Sequence, residues 1–219
     1  MPTAAEIIQF RADPNLFMRT NIVEWQGAGP EDQANIDVFM VDSGAGRYRT
    51  GSKFLGLGNA KADAPKSRVK WANNPMNPAP AGTATFPAVW SGFKGLQGRQ
   101  ANLPAAGGPS IMFTPQLTGC TVVCKTNADG SAQFSHYNYR SVLDATQVDD
   151  DANMVQRAQN DYGGGQSTLT KGDYRAVSKH GGNLTVTVVG VRKNGRWEFW
   201  AQYLEDKASG LQIRDVRKL

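Results

Sequence analysis

The sequence predicts an α+β fold, rich in β-strands, in which residues 1–219 form a single domain. A long apolar hairpin near the C-terminus and a set of strand-like segments over residues 110–139 predict the sheets. Two segments that begin with capping or acidic residues predict the helices. With 40% hydrophobic and 20% charged residues, a chain of 219 residues can bury a full core.

The hairpin NLTVTVVGVRK-NG-RWEFWAQYLED is the clearest element of the sequence. Asn194-Gly195 suits a two-residue type I′ turn, because both positions of that turn require a positive φ. Both faces of the hairpin carry apolar side chains, so we expect it to lie centrally in a sheet that is covered on both sides. The predicted register pairs Lys193 with Arg196, Val189 with Trp200, and Val186 with Tyr203.

Two helices are predicted from their first residues. Thr3 and Glu6 form a capping-box pattern, which predicts a helix over about 4–11 that ends before the following Asp-Pro pair. The acidic start of DDDANMVQRAQND predicts a second helix over 149–161, because negative charge is favourable at a helix N-terminus. A run of three glycines is expected to end it.

The remaining strands are predicted from short apolar runs. IDVFMVD, SIMFT, CTVVCKT and SAQFSHYNY each have the length and residue types of a strand, and the last two flank the turn sequence NADG. Residues 43–110 are rich in Gly, Pro, Ala and Asn, so we expect only brief strands there, around 68–71 and 85–90.

Charge and cysteine content limit the class of protein only broadly. The net charge of +5 and pI near 9.3 favour an acidic partner weakly. No stretch approaches the roughly 18 apolar residues of a membrane span, and the N-terminus lacks the apolar core of a signal peptide. The two cysteines are too few for a disulfide framework, so we expect reduced thiols and, failing export by another route, a cytoplasmic protein.

Cys120 and Cys124 are four residues apart in a predicted strand. They should point to the same face about 13 Å apart, given a rise of about 3.3 Å per residue. A disulfide requires Cα atoms within about 7 Å. We therefore predict two separate thiols.

The register of the hairpin around NADG decides whether Cys120 meets His136. If Asn127–Asp129 form the bend, Cys120 lies directly opposite His136, where Cβ atoms are about 4.5–5.5 Å apart. A four-residue loop shifts the pairing by one position and leaves the two as near-diagonal neighbours. A tight Asp129-Gly130 turn places Val123 across from His136 and separates them. The sequence leaves these registers open.

A Cys120–His136 pair would be suited to nucleophilic catalysis. The imidazole would take the thiol proton, and the thiolate would attack a carbonyl carbon. Gly119 allows a bend that turns main-chain amides toward the developing oxyanion, so Gly119 and Cys120 are the oxyanion-hole candidates. The competing interpretation is that Cys120 is a small buried apolar residue and His136 a hydrogen-bonded histidine of the sheet.

The order of residues between Thr114 and His136 is that of a known motif. Leu117-Thr118-Gly119-Cys120 follows Thr114, which lies six residues before the cysteine, and His136 lies on the next strand. This segment resembles the Cys–His core of bacterial glutamine deamidases, a group that includes the cytotoxic necrotizing factor catalytic domain, the Burkholderia lethal factor toxin and the chemoreceptor glutamine deamidase. The toxin members carry L-S-G-C, with serine in place of Thr118.

The resemblance implies a mixed β-sandwich with helices packed outside, and hydrolysis of a glutamine side-chain amide in a target protein. Cys120 would form a thioester, and His136 would act as a base and then activate water. Thr114 would orient the imidazole or bind the substrate amide. The group needs no metal or organic cofactor. A toxin or effector of this type would leave the cell without a readable signal peptide and act on a host factor in the host cytosol.

Residues 47–70 contain seven basic residues and a single acidic one, Asp63. We expect Arg47, Arg49 and Lys53 to help dock an acidic substrate surface, although a solvated loop has the same composition. The alternative function is a non-enzymatic nucleic-acid-binding or structural protein that uses this segment; nucleic acid is not favoured, because few aromatic residues lie there.

Other kinds of site are less well supported by the sequence. A papain-like protease is disfavoured by the short spacing from cysteine to histidine. His180 lies in a glycine-rich segment and is expected to be an exposed loop histidine. The spacing of the cysteines and histidines does not fit a zinc site, so we expect no metal.

Overall fold

Two β-sheets and four helices form the part of the chain that the computed structural model describes. The described residues are 4–25, 29–30, 32–49, 61–74, 76, 78–92, 98–137, 151–177, 184–207 and 210–219. The helices are α1 (Ala4–Ala12), α2 (Pro14–Thr20), α3 (Asp151–Tyr162) and α4 (Lys171–Val177). The strands are β1 (Ile22–Trp25), β2 (Ala34–Arg49), β3 (Lys61–Trp71), β4 (Phe86–Trp90), β5 (Gly98–Leu103), β6 (Ile111–Phe113), β7 (Thr121–Thr126), β8 (Ala132–Tyr137), β9 (Ser167–Leu169), β10 (Leu184–Lys193), β11 (Arg196–Lys207) and β12 (Gly210–Lys218).

The larger sheet has the strand order β1-β3-β2-β12-β11-β10-β6-β4. Because β4 also pairs with the first half of β2, the strands from β2 to β4 in this order form a closed ring. The smaller sheet has the order β5-β8-β7-β9. Parallel and antiparallel pairs both occur in the larger sheet, so it is a mixed sheet.

Among the described residues, three apolar clusters hold the layers together. Phe10 and Phe17, from α1 and α2, pack with Phe113 on one face of the larger sheet. The opposite face packs against the smaller sheet, where Phe134 stacks on Phe199 with ring centroids 5.7 Å apart. Helix α3 covers the outer face of the smaller sheet. The predicted α+β fold, rich in β-strands, is confirmed.

The predicted C-terminal hairpin is confirmed in every pairing. Strands β10 and β11 pair with the expected register, and Asn194 and Gly195 have φ values of 52° and 74°. The hairpin lies in the middle of the larger sheet, between β6 and β12, and side chains of β10 belong to the clusters on both faces.

The helices differ from the prediction mainly around Pro14. Helix α1 ends before Pro14 as expected, but Pro14 then begins α2, which the sequence analysis missed. Asp13 caps this helix, since its Oδ1 accepts a hydrogen bond from the Leu16 amide at 2.9 Å. Proline is favourable at the first helical position, because that residue needs no amide donor. No described helix has the length and apolar character needed to cross a membrane.

The prediction of only brief strands between residues 43 and 110 is wrong. Strand β2 continues to Arg49, β3 spans Lys61–Trp71, and β5 spans Gly98–Leu103. Each of these strands pairs with neighbours over most of its length. The intrinsic strand propensity of a segment contributes less than its hydrogen bonding and packing with neighbouring strands. Gly- and Ala-rich segments can therefore still form strands.

The turn between β7 and β8 depends on a glycine with positive φ. The chain reverses through Asn127–Ser131, with Thr126 paired to Ala132 and Gly130 at a φ of 87°. A type I turn followed by a left-handed residue is the usual form of such a loop. Gly130 also contacts the second hairpin, because its carbonyl accepts a hydrogen bond from the Trp197 amide at 3.4 Å.

We expect Gly130→Ala to lower the free energy of unfolding by about 2–4 kcal/mol. Its Cβ would lie 2.1 Å from the carbonyl oxygen of Gly195, and an L-residue is also strained at this φ. Gly82→Ala is the matched control, because Gly82 has a φ of 77° but no atom within 4 Å of the added carbon. Urea denaturation should show a loss of about 1 kcal/mol there. Equal losses in the two variants would contradict the contact.

Candidate active site

The candidate residues lie where the chain crosses from the larger to the smaller sheet. Thr114 directly follows β6, and Cys120 directly precedes β7. Between them, Leu117 forms an isolated antiparallel bridge with Val186, in which each amide donates to the other residue's carbonyl at 2.9 Å. The chain bends at residues 118–119, and Gly119 is buried. The crossing is therefore fixed to β10 just before the bend.

The observed hairpin register is none of the three that we considered. Val122 lies opposite His136, so Cys120 is two positions away from the residue that faces the histidine. The reason is that the turn lies one residue later than a bend at Asn127–Asp129: Thr126 pairs with Ala132, and Gly130 takes the left-handed position. In a regular antiparallel pair, diagonal neighbours of this kind lie about 7–8 Å apart, within reach of a ring side chain. The directly opposite arrangement of Cys120 and His136 is therefore wrong.

Cys120 and His136 nevertheless face the same side of the smaller sheet. Cys120 packs in the cluster between the sheets, together with Val122 and Phe134. His136 shares that face, because it lies opposite Val122 and two residues beyond Phe134. His136 is 1% exposed, whereas Cys120 is 7% exposed. The imidazole is thus enclosed, and the cysteine is nearer to the surface.

Thr114 contacts the histidine directly. Its Oγ1 lies 2.9 Å from His136 Nδ1, and the pair is buried. Thr114 is itself only 1% exposed. This hydrogen bond links the end of β6 in the larger sheet to β8, an inner strand of the smaller sheet. It fixes the orientation of the ring and its Nδ1 atom.

Burial lowers the pKa of His136 from 6.5 to about 3, because removal from water penalises the charged imidazolium. The ring is therefore neutral at pH 7. A neutral ring that donates its Nδ1 proton to Thr114 Oγ1 has a lone pair on Nε2. In this tautomer, Nε2 can accept a proton from a nearby acid.

The lowered pKa of His136 predicts a loss of stability in acid. Below pH 6.5 the unfolded chain takes up a proton at this residue, whereas the folded protein does not until the pH nears 3. As the pH is lowered from 6.5 toward 3, this group should therefore decrease the free energy of unfolding, by up to about 1.4 kcal/mol per pH unit. Denaturant titrations of the parent and His136→Gln should be parallel above pH 7.5. Below pH 6, the free energy of unfolding of the variant should depend less steeply on pH, by the amount that corresponds to about one proton. Parallel curves below pH 6 would refute the prediction.

The second cysteine differs in environment, and the predicted absence of a disulfide is confirmed. Both thiols are free and buried. Cys124 lies opposite Phe134, and burial raises its pKa from 9.0 to about 12. Its thiolate is therefore scarce at neutral pH, which makes Cys124 an unreactive thiol.

Tyr174 is a residue near the cysteine that the sequence analysis missed. Its hydroxyl donates a hydrogen bond to the carbonyl oxygen of Cys120 at 2.5 Å. Helix α4 carries it, and the sequence Thr170-Lys-Gly-Asp173 begins this helix with a capping box, since the Asp173 carboxylate accepts from the Thr170 amide at 2.7 Å. That pattern could have predicted the helix, but not its contact with Cys120.

Two of the three expected docking residues lie on strand β2. Arg47 belongs to a row of paired residues that runs through β12 and β11 to Leu184 at the start of β10. Three strand spacings of about 4.8 Å put the main chain of Arg47 about 14 Å from that of Leu184. Arg49 follows at the end of β2, and Lys53 lies outside the described residues.

The remaining residues considered in the sequence analysis are Arg68 of the basic segment, His180 and possible metal ligands. Arg68 is in an ion pair, with its Nε 3.1 Å from Glu24 Oε2. His180 lies outside the described residues. Among the residues that the structure describes, no three Cys, His, Asp or Glu side chains are grouped as metal ligands.

Comparison with known proteins gives one structural similarity to report. No protein-family model matches the chain, and no curated protein matches it. Among solved structures, the chain is similar to the C-terminal domain of CNFy from Yersinia pseudotuberculosis, with 9% sequence identity and a TM-score of 0.47. The match covers 99% of this chain and 97% of that chain. A similarity at this level concerns overall fold and carries no information about activity.

Proposed function

We propose that this protein is a cysteine-dependent hydrolase that deamidates a glutamine side chain in a target protein. The observation that carries the proposal is the buried hydrogen bond between Thr114 and His136, next to Cys120 on the same face. A nucleophile, a base and a residue that orients the base are the three parts of a cysteine catalytic centre. Here they come from three separate places in the chain.

The assignment to glutamine depends on the motif in the sequence. The order Thr114, then L-T-G-C, then His136 on the next strand resembles that of the bacterial glutamine deamidases. A protein substrate also agrees with the position of Cys120, which at 7% exposure is the least buried member of the centre and follows the exposed Thr118. We place the target among host proteins, with Arg47, Arg49 and Lys53 as docking residues.

The first half of the reaction forms a thioester. His136 Nε2 takes the Cys120 proton, and the sulfur attacks the side-chain carbonyl carbon, so that a carbon–sulfur bond forms. The oxyanion is held by main-chain amides at Gly119 and Cys120. The carbon–nitrogen bond then breaks, and the proton on His136 leaves with the nitrogen as ammonia.

The second half of the reaction restores the enzyme. His136 takes a proton from water, and the resulting hydroxide attacks the thioester carbonyl. The carbon–sulfur bond breaks, and the proton returns to the sulfur. Overall, glutamine and water give glutamate and ammonia. The low pKa of His136 keeps the base neutral before each proton transfer.

Proteomic mass spectrometry in water enriched in heavy oxygen tests this function. Host-cell extract is incubated with the parent or with Cys120→Ser, and glutamine-to-glutamate conversion is mapped together with ammonia release. We expect one or a few glutamines to become heavy-oxygen glutamate only with the parent, because hydrolysis takes one oxygen atom from water. Release of no ammonia, or identical maps for the two proteins, would exclude the deamidase.

A further inference from the structure

Tyr174 holds the main chain at the candidate nucleophile. Its ring is 3% exposed and lies in the cluster between the sheets that also contains Cys120. Its hydroxyl donates to the Cys120 carbonyl at 2.5 Å. The tyrosine therefore contacts both the packing environment and the main chain of Cys120.

This hydrogen bond sets the orientation of one peptide plane. The peptide bond between Cys120 and Thr121 is planar and trans, so its carbonyl and the Thr121 amide point in opposite directions. When Tyr174 holds the carbonyl toward α4, the plane cannot rotate, and the ψ angle of Cys120 is restricted. The direction of the Cys120 side chain depends on that angle.

The other end of the same short segment is fixed as well. Leu117 is bound to Val186 by two main-chain hydrogen bonds of 2.9 Å. Residues 118–120 therefore run between two anchors, one on β10 and one on α4. A bend of three residues held at both ends has little freedom to move the thiol away from His136.

We propose that Tyr174 is a positioning residue, whose hydroxyl keeps the Cys120 thiol oriented toward His136. The expected effect of Tyr174 on kcat rests on the proposed function. The effect of its hydroxyl on the orientation of the Cys120 thiol does not depend on any substrate. The role belongs to the hydroxyl rather than to the ring, since phenylalanine would fill the same space.

The test compares Tyr174→Phe with Tyr162→Phe in a Cys124→Ser background. Tyr162 is the matched control, because its buried hydroxyl also has a short hydrogen bond, 2.6 Å to Ser135 Oγ, but on the α3 side of the sheet. The first measurement is a pH titration of Cys120 by the NMR shift of its labelled Cβ. We expect the shift and titration midpoint to change in Tyr174→Phe and to match the parent in Tyr162→Phe. Identical titrations of Cys120 in all three proteins would overturn the proposal.

The second measurement is steady-state deamidation. We expect Tyr174→Phe to lower kcat about 10- to 100-fold with KM unchanged, because misplacement of a nucleophile has effects of this size. Tyr162→Phe should retain the parent's kcat, and an equal loss in both would indicate a merely structural role. If the parent itself releases no ammonia, the proposed function fails, whereas the Cys120 titration still decides the role of Tyr174. If Tyr174→Phe does not fold, difluorotyrosine at 174 keeps the shape, alters the donor strength and is judged by the same titration.

Discussion

Replacing Cys120 with serine is expected to lower kcat for glutamine deamidation by on the order of 10³-fold or more. A serine hydroxyl is far less acidic than a thiol and is a poorer nucleophile, so a site that depends on a thiolate attacks the amide far more slowly with serine. The thioester cannot form, whereas the shape of the site is retained. The measurement is the initial rate of ammonia release on the target identified by mass spectrometry.

Cys124→Ser is a closely matched control for this prediction. Both cysteines are buried in the same cluster between the sheets, with exposed fractions of 7% and 3%. The same substitution is made in each, so the cost of burying a hydroxyl there is similar. Because burial raises the pKa of Cys124 to about 12, we expect full activity in that variant. Activity retained by Cys120→Ser, or lost only in Cys124→Ser, would mean that the nucleophile is assigned wrongly.

The parts of the fold that could be predicted are those with strong local signals. Asn194-Gly195 determines its own turn type, and the apolar residues on both faces of that hairpin place it inside the sheet. Strands β3 and β5 have no such signal, because their stability comes from pairing with residues far away in the chain. Their formation depends on tertiary contacts that a sequence pattern does not contain.

The sequence motif proposes the residues of the candidate site but not the geometry between them. The motif identified Thr114, Cys120 and His136, and the contact between Thr114 and His136 was one of two roles considered for the threonine. The position of Cys120 relative to His136 depended on where in the chain one turn lies. The observed turn uses Gly130 in a left-handed conformation and lies one residue later than a bend at Asn127–Asp129, which moves the pairing by two positions. A shift of one residue in a turn is not determined by strand patterns.

Thr114→Val is the second variant with a large expected effect, and it distinguishes the two possible roles of Thr114. Valine has nearly the same shape as threonine but cannot form the hydrogen bond to His136 Nδ1. Without that bond the ring can turn, and the tautomer with its lone pair on Nε2 is less favoured. We expect kcat to fall on the order of 10²-fold with KM unchanged, as for partial loss of a general base.

Thr114→Ser is the matched control, since serine keeps the hydroxyl and loses only a methyl group. It should retain kcat to within about threefold, because the bond that orients the ring is preserved. A substrate-binding role predicts a different pattern: in Thr114→Val, KM would rise and kcat would be unchanged. Because the Thr114 hydroxyl is bonded to His136 Nδ1, we expect it to act through the ring and the effect to fall on kcat. A full kcat in Thr114→Val would show that His136 is oriented by other contacts and would remove Thr114 from the catalytic centre.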